Sequence, residues 1–146
     1  GIYTYFWRSS PYPMLPTFDA PNSNTTCTRR VRSNTPLQAL TLANDHSLFE
    51  LTQGFALRIL QEGPQYDEGR IRAAFEICLS RAPSDRELDV MTGYLQEQRA
   101  QFKQSPEAAA QVAADDLPKQ IDVIEAASWT AVARVLMNLD EFITRE

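Results

Sequence analysis

The densest grouping of chemically capable side chains is the run Cys27-Thr28-Arg29-Arg30-Val31-Arg32-Ser33-Asn34-Thr35-Pro36. Its three arginines lead directly into a helix start, where free backbone amides and the helix dipole also favour negative charge. A phosphate, sulfate or carboxylate ligand fits that pattern. Ion pairs tying this segment to the acidic helices are the plainer reading of the same pattern. A second grouping is Tyr5, Trp7, Arg8 and Tyr12, whose rings and guanidinium suit stacking on sugar rings or packing into a core. With Asp19 between the two groups, the candidate ligand-binding set is Arg29, Arg30, Arg32, Trp7, Arg8, Tyr5 and Asp19.

Other chemistries find less material. Metal ligation needs several His, Cys or carboxylate groups converging, and His46 has no Cys or His neighbour to suggest a cluster. It is expected as an exposed residue in the first turn after a cap, with no metal site. There is no C-x-x-C-H, so no haem attachment is expected, nor any other cofactor in this chain. Cys78 falls on an apolar helix face and reads as an inert buried thiol. Cys27 stands just before Arg29 and Arg30, where cations favour a reactive thiol. A Cys27–Cys78 disulfide stays open on sequence grounds. Five glycines form no phosphate-binding loop and no nucleophile elbow. The acidic pairs Asp115-Asp116 and Asp140-Glu141 are adjacent in sequence, not opposed across a cleft, and read as solvated surface. Asn24-Thr25-Thr26 fits a glycosylation sequon, which matters only in a eukaryotic secretory setting.

The chain has 146 residues with a net charge of −5, a balance that excludes a generally basic nucleic-acid-binding surface. No apolar run approaches the ~20 residues of a membrane span, and the start has no signal-peptide pattern. Charge is unevenly spread. Residues 1–36 hold four arginines against one aspartate, and the remainder carries −8. Six aromatics and four of the nine prolines fall in the first twenty-one residues. A basic, aromatic, proline-rich arm thus precedes an acidic body.

The arm opens with Ile2-Tyr3-Thr4-Tyr5-Phe6-Trp7, a composition suited to an extended strand. Ser9 to Thr35 shows no helical or alternating period, and Pro11, Pro13, Pro16 and Pro21 exclude a long helix. So many rings are unusual for a disordered linker. An ordered wrap is expected, draped on the helices or on a neighbouring domain, in a chain cut from something larger.

Beyond Thr35 the spacing predicts an all-α fold: an irregular bundle of about five or six helices with an extended N-terminal arm, in one domain over 1–146. Thr35-Pro36 starts the first helix, with Leu37, Leu40, Leu42 and Ala43 as its apolar face. Asp45 recaps a second helix to about Glu62, with Leu48, Leu51, Phe55 and Ile59 at helical spacing. A third follows Asp67, using Ile71, Ala74, Phe75 and Cys78. Ser84-Asp85-Arg86-Glu87 is a capping box for a fourth helix to about Gln104, with Leu88, Met91, Leu95 and Phe102 in one stripe. Ser105-Pro106 starts an alanine-rich helix to about Ala114. The last long helix is predicted from roughly Pro118 to Asn138. Its face is Ile121, Ile124, Ala127, Ala131 and Val135, broadened by Trp129, Val132, Leu136 and Met137, which makes it central to the core. Phe142 and Ile143 would anchor the tail.

These segments resemble the C-terminal domain of unknown function found in large planctomycete and verrucomicrobial proteins, the planctomycete-specific domain one. The resemblance rests on Tyr3-Thr4-Tyr5-Phe6-Trp7-Arg8, Thr17-Phe18-Asp19-Ala20-Pro21, Cys27-Thr28-Arg29-Arg30 and Asn34-Thr35-Pro36-Leu37-Gln38-Ala39-Leu40. It continues through Leu42-Ala43-Asn44-Asp45, Arg81-Ala82-Pro83-Ser84 and the ending from Asn138 to Glu146. One departure is His46, where the family pattern often has proline. The resemblance implies a fragment of a longer, exported bacterial protein, periplasmic or extracellular, whose relatives often carry a separate cytochrome c domain. It brings no catalytic residues.

Three functions follow as expectations. The leading one is a non-catalytic interaction or scaffolding module whose partners are upstream domains of the same polypeptide. The second is binding of an anionic polysaccharide through Trp7, Tyr5 and Arg8. The third is an active site completed by a missing domain, drawing on Asp19, Arg29, Arg30 and Asp45.

Overall fold

Side-chain caps set half of the helix starts among the described residues. In a computed structural model of the chain, all regular structure among the described residues is helical. The structure describes residues 5, 7, 9–22, 24–29 and 33–144. A single turn, α1 (Met14–Thr17), precedes α2 (Pro36–Asn44) and α3 (His46–Glu62). Next come α4 (Asp67–Leu79), α5 (Asp85–Gln104), α6 (Pro106–Val112), α7 (Val123–Met137) and another single turn, α8 (Asp140–Ile143). At α2 the Thr35 hydroxyl accepts from the Gln38 amide at 3.3 Å, while Gln38 Oε1 accepts from the Thr35 N–H at 2.9 Å. Asp45 ends α2 and starts α3, its Oδ1 accepting from the Leu48 amide at 3.1 Å. Ser84 and Glu87 form the reciprocal box at α5. Ser80, at φ 58°, ends α4 in the left-handed region.

Helix α7 runs through the middle of the bundle, packed against α3, α4, α5, α6 and α8. Its Trp129, Val132, Ala133 and Leu136 meet Ala56 and Ile59 of α3, Ile71, Ala74 and Phe75 of α4, and Leu88, Met91 and Leu95 of α5. Burial of each large side chain here is worth about 1.5–3 kcal/mol. A second, smaller core joins Ala109 and Ala113 to Ala126 and Ala127, methyl groups that allow α6 to close on α7. Gln53 of α3 fixes the end of α6 by donating to the carbonyls of Val112 and Ala113 at 3.0 and 3.1 Å.

Two arginine forks lock the helices together. Arg99 on α5 donates to Asp67 of α4 at 2.8 Å and to Glu125 of α7 at 2.7 Å. Arg81 donates to Glu87 and to Glu141 of α8, each at 2.7 Å, and its guanidinium lies 5.5 Å from the Phe75 ring centre. Paired acceptors suit the planar guanidinium better than an ammonium.

Several expectations from the sequence are corrected. The strand expected over Ile2–Trp7 falls largely outside the described residues. The segment read as loop contains α1, which the Thr17 hydroxyl closes by donating to the Pro13 carbonyl at 3.0 Å. Helix α6 ends at Val112, two residues earlier than expected. Helix α7 begins at Val123, not Pro118: residues 118–121 form a turn, and the Asp122 carboxylate accepts from the amides of Ile124 and Glu125. On α3 the buried face is Thr52, Ala56 and Ile59, with Leu51 turned outward. On α2 the buried residue is Gln38, while Leu37 and Leu40 are 57% and 60% exposed. On α7 the innermost stripe is Ala126, Trp129, Ala133 and Leu136; Ile124, Ala131 and Val135 are half-buried. Asp140 and Glu141 lie at the exposed surface, as expected, and Glu141 also takes part in the Arg81 fork.

Candidate functional site

The arm is shaped around Asp19. After α1, the Phe18 amide donates to the Met14 carbonyl and the Asp19 amide to the Pro16 carbonyl, both at 3.1 Å. Asp19 itself takes φ 56°, a left-handed conformation that short polar side chains tolerate better than branched ones. The turn brings its carboxylate to Ser33, where it accepts from the amide at 2.7 Å and from the hydroxyl at 2.8 Å. Gln38 completes the junction. Its Nε2 donates to the Thr17 carbonyl at 2.8 Å and to the Ser33 hydroxyl at 3.2 Å, with a longer contact to Asp19 at 3.4 Å. Asp19 therefore pins the arm to the N-terminus of α2.

The aromatic candidates face outward. Tyr5 and Trp7 are 77% and 62% exposed and meet edge to face, with ring centres 5.4 Å apart. Tyr12 is 51% exposed. Arg29 is exposed and makes no salt bridge with any described residue. Arg8, Arg30 and Arg32 lie outside the described residues. The structure thus brings Tyr5 to Trp7, and Asp19 to Ser33 and Gln38. A notch of about 290 Å3 beside α1 is lined by Pro11, Leu15, Pro16, Ala20 and Pro21, with none of the described candidate residues in its wall.

The remaining reactive types have defined places. His46 has an 86% exposed side chain and lies 3.4 Å from Glu50. Asp45 is committed to capping α3. Cys27 is exposed, with Sγ 3.4 Å from the Arg29 carbonyl oxygen, and both cysteines are free thiols. Burial pushes the Cys78 thiol up to about 11. Asp115 and Asp116 are exposed. Among the described residues no group of three or more His, Cys, Asp or Glu side chains is placed to hold a metal ion, and no helix is long and apolar enough to cross a membrane.

Sequence reasoning missed Gln38, because a polar residue between two leucines looked like the wet side of α2. The signal was available: Thr35-Pro36-Leu37-Gln38 has the spacing of a capping box, which turns the third residue back over the helix start. It missed Ser33 as well, having grouped it with the arginines.

An all-helical domain with an arm latched to one helix start is the class this structure defines. The chain belongs to the family described as PSD1, protein of unknown function (DUF1553), whose profile matches residues 1–95. That span covers the arm, α2 to α4 and the first half of α5. No curated protein and no solved structure matches the chain.

Proposed function

We propose that this domain is a non-catalytic interaction module, whose anchored arm presents Tyr5, Trp7 and Tyr12 to an adjoining domain of the same polypeptide. One observation carries the reading: the arm is fixed at Asp19 and Gln38 yet leaves three large aromatics more than half exposed. Aromatics on a pre-positioned segment make good interface anchors, because little ordering entropy is left to lose on docking. Leu37 and Leu40 add exposed apolar surface on α2, the helix that holds the arm. The resemblance to planctomycete-specific domains adds the setting proposed here: an extracytoplasmic bacterial protein of several domains, some relatives carrying a cytochrome c domain.

The test is the double variant Trp7→Ala, Tyr12→Ala in a polypeptide that includes the preceding domains. Stability of the helical body should change by no more than about 0.5 kcal/mol. Association of the domain with its neighbours should weaken by roughly tenfold or more. Unchanged association would overturn the reading.

A second reading is favoured by the Tyr5–Trp7 pair lying in the same arm as Arg29, which makes no salt bridge with any described residue: stacking on, and pairing with, an anionic polysaccharide. Calorimetric titration with sulfated glycans separates the two, since only this reading requires binding by the domain alone.

A further inference from the structure

The half-buried arginines fall into two kinds. Arg81 and Arg99 each hold two carboxylates. Arg70 and Arg134 have none within salt-bridge distance among the described residues. Arg70 borders a cleft of about 470 Å3 whose wall also includes Asp122 and Glu125, so negative charge is already present there. The cleft beside Arg134, of about 280 Å3, has no acidic residue in its lining among the described residues.

That second cleft has a simple origin. Tyr94, Gln98 and Phe102 form one stripe of α5 at four-residue spacing, and Ala131, Arg134 and Val135 of α7, with the C-cap Asn138, form the facing side. The short methyl group of Ala131 on the facing side helps to leave the gap open. Arg134 is held in place by donating to the Ala43 carbonyl at 2.6 Å and by lying 5.4 Å from the Phe49 ring centre. That bond uses one of its five N–H groups, and the others have no acceptor in the described protein. The Tyr94 hydroxyl likewise has no partner among the described residues, and burial raises its pKa, so it stays a neutral donor. Glu97, whose charge acts on Tyr94, is exposed and outside the lining.

We infer that this cleft binds a carboxylate with a short apolar body, Arg134 and Tyr94 donating to its oxygens and Phe102, Val112 and Val135 covering the body. A fixed guanidinium with free N–H groups and no counter-ion is complementary to a planar anion. The volume lies just below the usual range for drug-sized ligands, which limits the body to a few heavy atoms. Two sources share this chemistry: a free short-chain carboxylic acid, and a carboxylate at the end of a protein chain. No residue of the arm takes part, so the inference stands apart from the proposed function.

The experiment is an amide NMR titration of the full chain with butyrate, butyramide, and the tripeptide Gly-Gly-Val as free acid and as amide. Butyrate or the free-acid tripeptide should shift the Tyr94, Gln98, Ala131 and Arg134 amides saturably, with Kd on the order of 1 mM. The corresponding amides should bind about tenfold more weakly or worse, because an uncharged carboxamide cannot replace the anion. Arg134→Gln should lose binding about tenfold, and Tyr94→Phe a few-fold without disturbing the Ala43 contact. Tighter binding of the tripeptide acid assigns a protein source, and tighter binding of butyrate a small-molecule source. Absence of saturable shifts with both acids, equal binding of acid and amide, or unaltered affinity in Tyr94→Phe with the domain folded would each overturn the inference.

Discussion

Gln38 donates from Nε2 to the carbonyl oxygen of Thr17 at 2.8 Å, across twenty-one residues of chain. The same amide accepts from the Thr35 N–H, so one side chain, only 1% exposed, both caps α2 and holds the arm. Buried amides are stable only when both ends are satisfied, and here both are.

Separating the two roles gives the first prediction. Gln38→Glu keeps an acceptor for the Thr35 N–H but loses the donor to Thr17 and sets a negative charge beside Asp19. Hydrogen exchange at the Ser33 and Ala20 amides should accelerate by about tenfold or more, while α3 to α7 keep their protection. Gln38→Ala loses both roles and should cost about 2–3 kcal/mol in a urea titration.

Acid should weaken the bundle through its arginine forks. The Arg81 guanidinium, helped by the Ser84 amide, holds Glu87 down at about 2 from the usual 4.5. Glu141 is lowered by Arg81, and Asp67 by Arg99. These carboxylates bind protons less readily folded than unfolded, so their stabilisation is complete above the unfolded pKa and is lost as pH falls through the folded one. Thermal midpoints should therefore drop between about pH 5 and pH 2. Glu87→Gln should be less stable at neutral pH, by about 1 kcal/mol given the exposure of the pair, and its acid limb should be shallower.

The two thiols should differ by kinetics alone. Cys27 is exposed, whereas Cys78 is half-buried with its pKa near 11, leaving about a thousandth of it as thiolate at pH 8. A chromogenic disulfide reagent should titrate one thiol promptly and the second only as the protein unfolds. Cys27→Ser should abolish the prompt phase.

The helix starts were legible because Thr35, Asp45 and Ser84 are local signals: the capping oxygen and the amide it meets are three residues apart. The central place of α7 was legible too, since apolar residues cover most of its circumference. Which leucines point inward was not. Leu37, Leu40 and Leu51 satisfy a helical period but face out, because neighbouring elements reach Gln38, Thr52 and Ala56 instead. Nor did spacing reveal the Asp19–Ser33 junction, which depends on the left-handed turn at residue 19. The same limit hid the Arg134 cleft, formed by residues from four separate helices.

The most direct test of the interaction-module account uses the two tryptophans, Trp7 at 62% exposure and Trp129 at 1%. Acrylamide quenching of wild type minus that of Trp7→Phe isolates the arm's emission. In the 146-residue chain Trp7 should quench almost as freely as a model indole, and in a polypeptide containing the preceding domains it should be shielded several-fold. Equal quenching of Trp7 in both contexts would contradict the account.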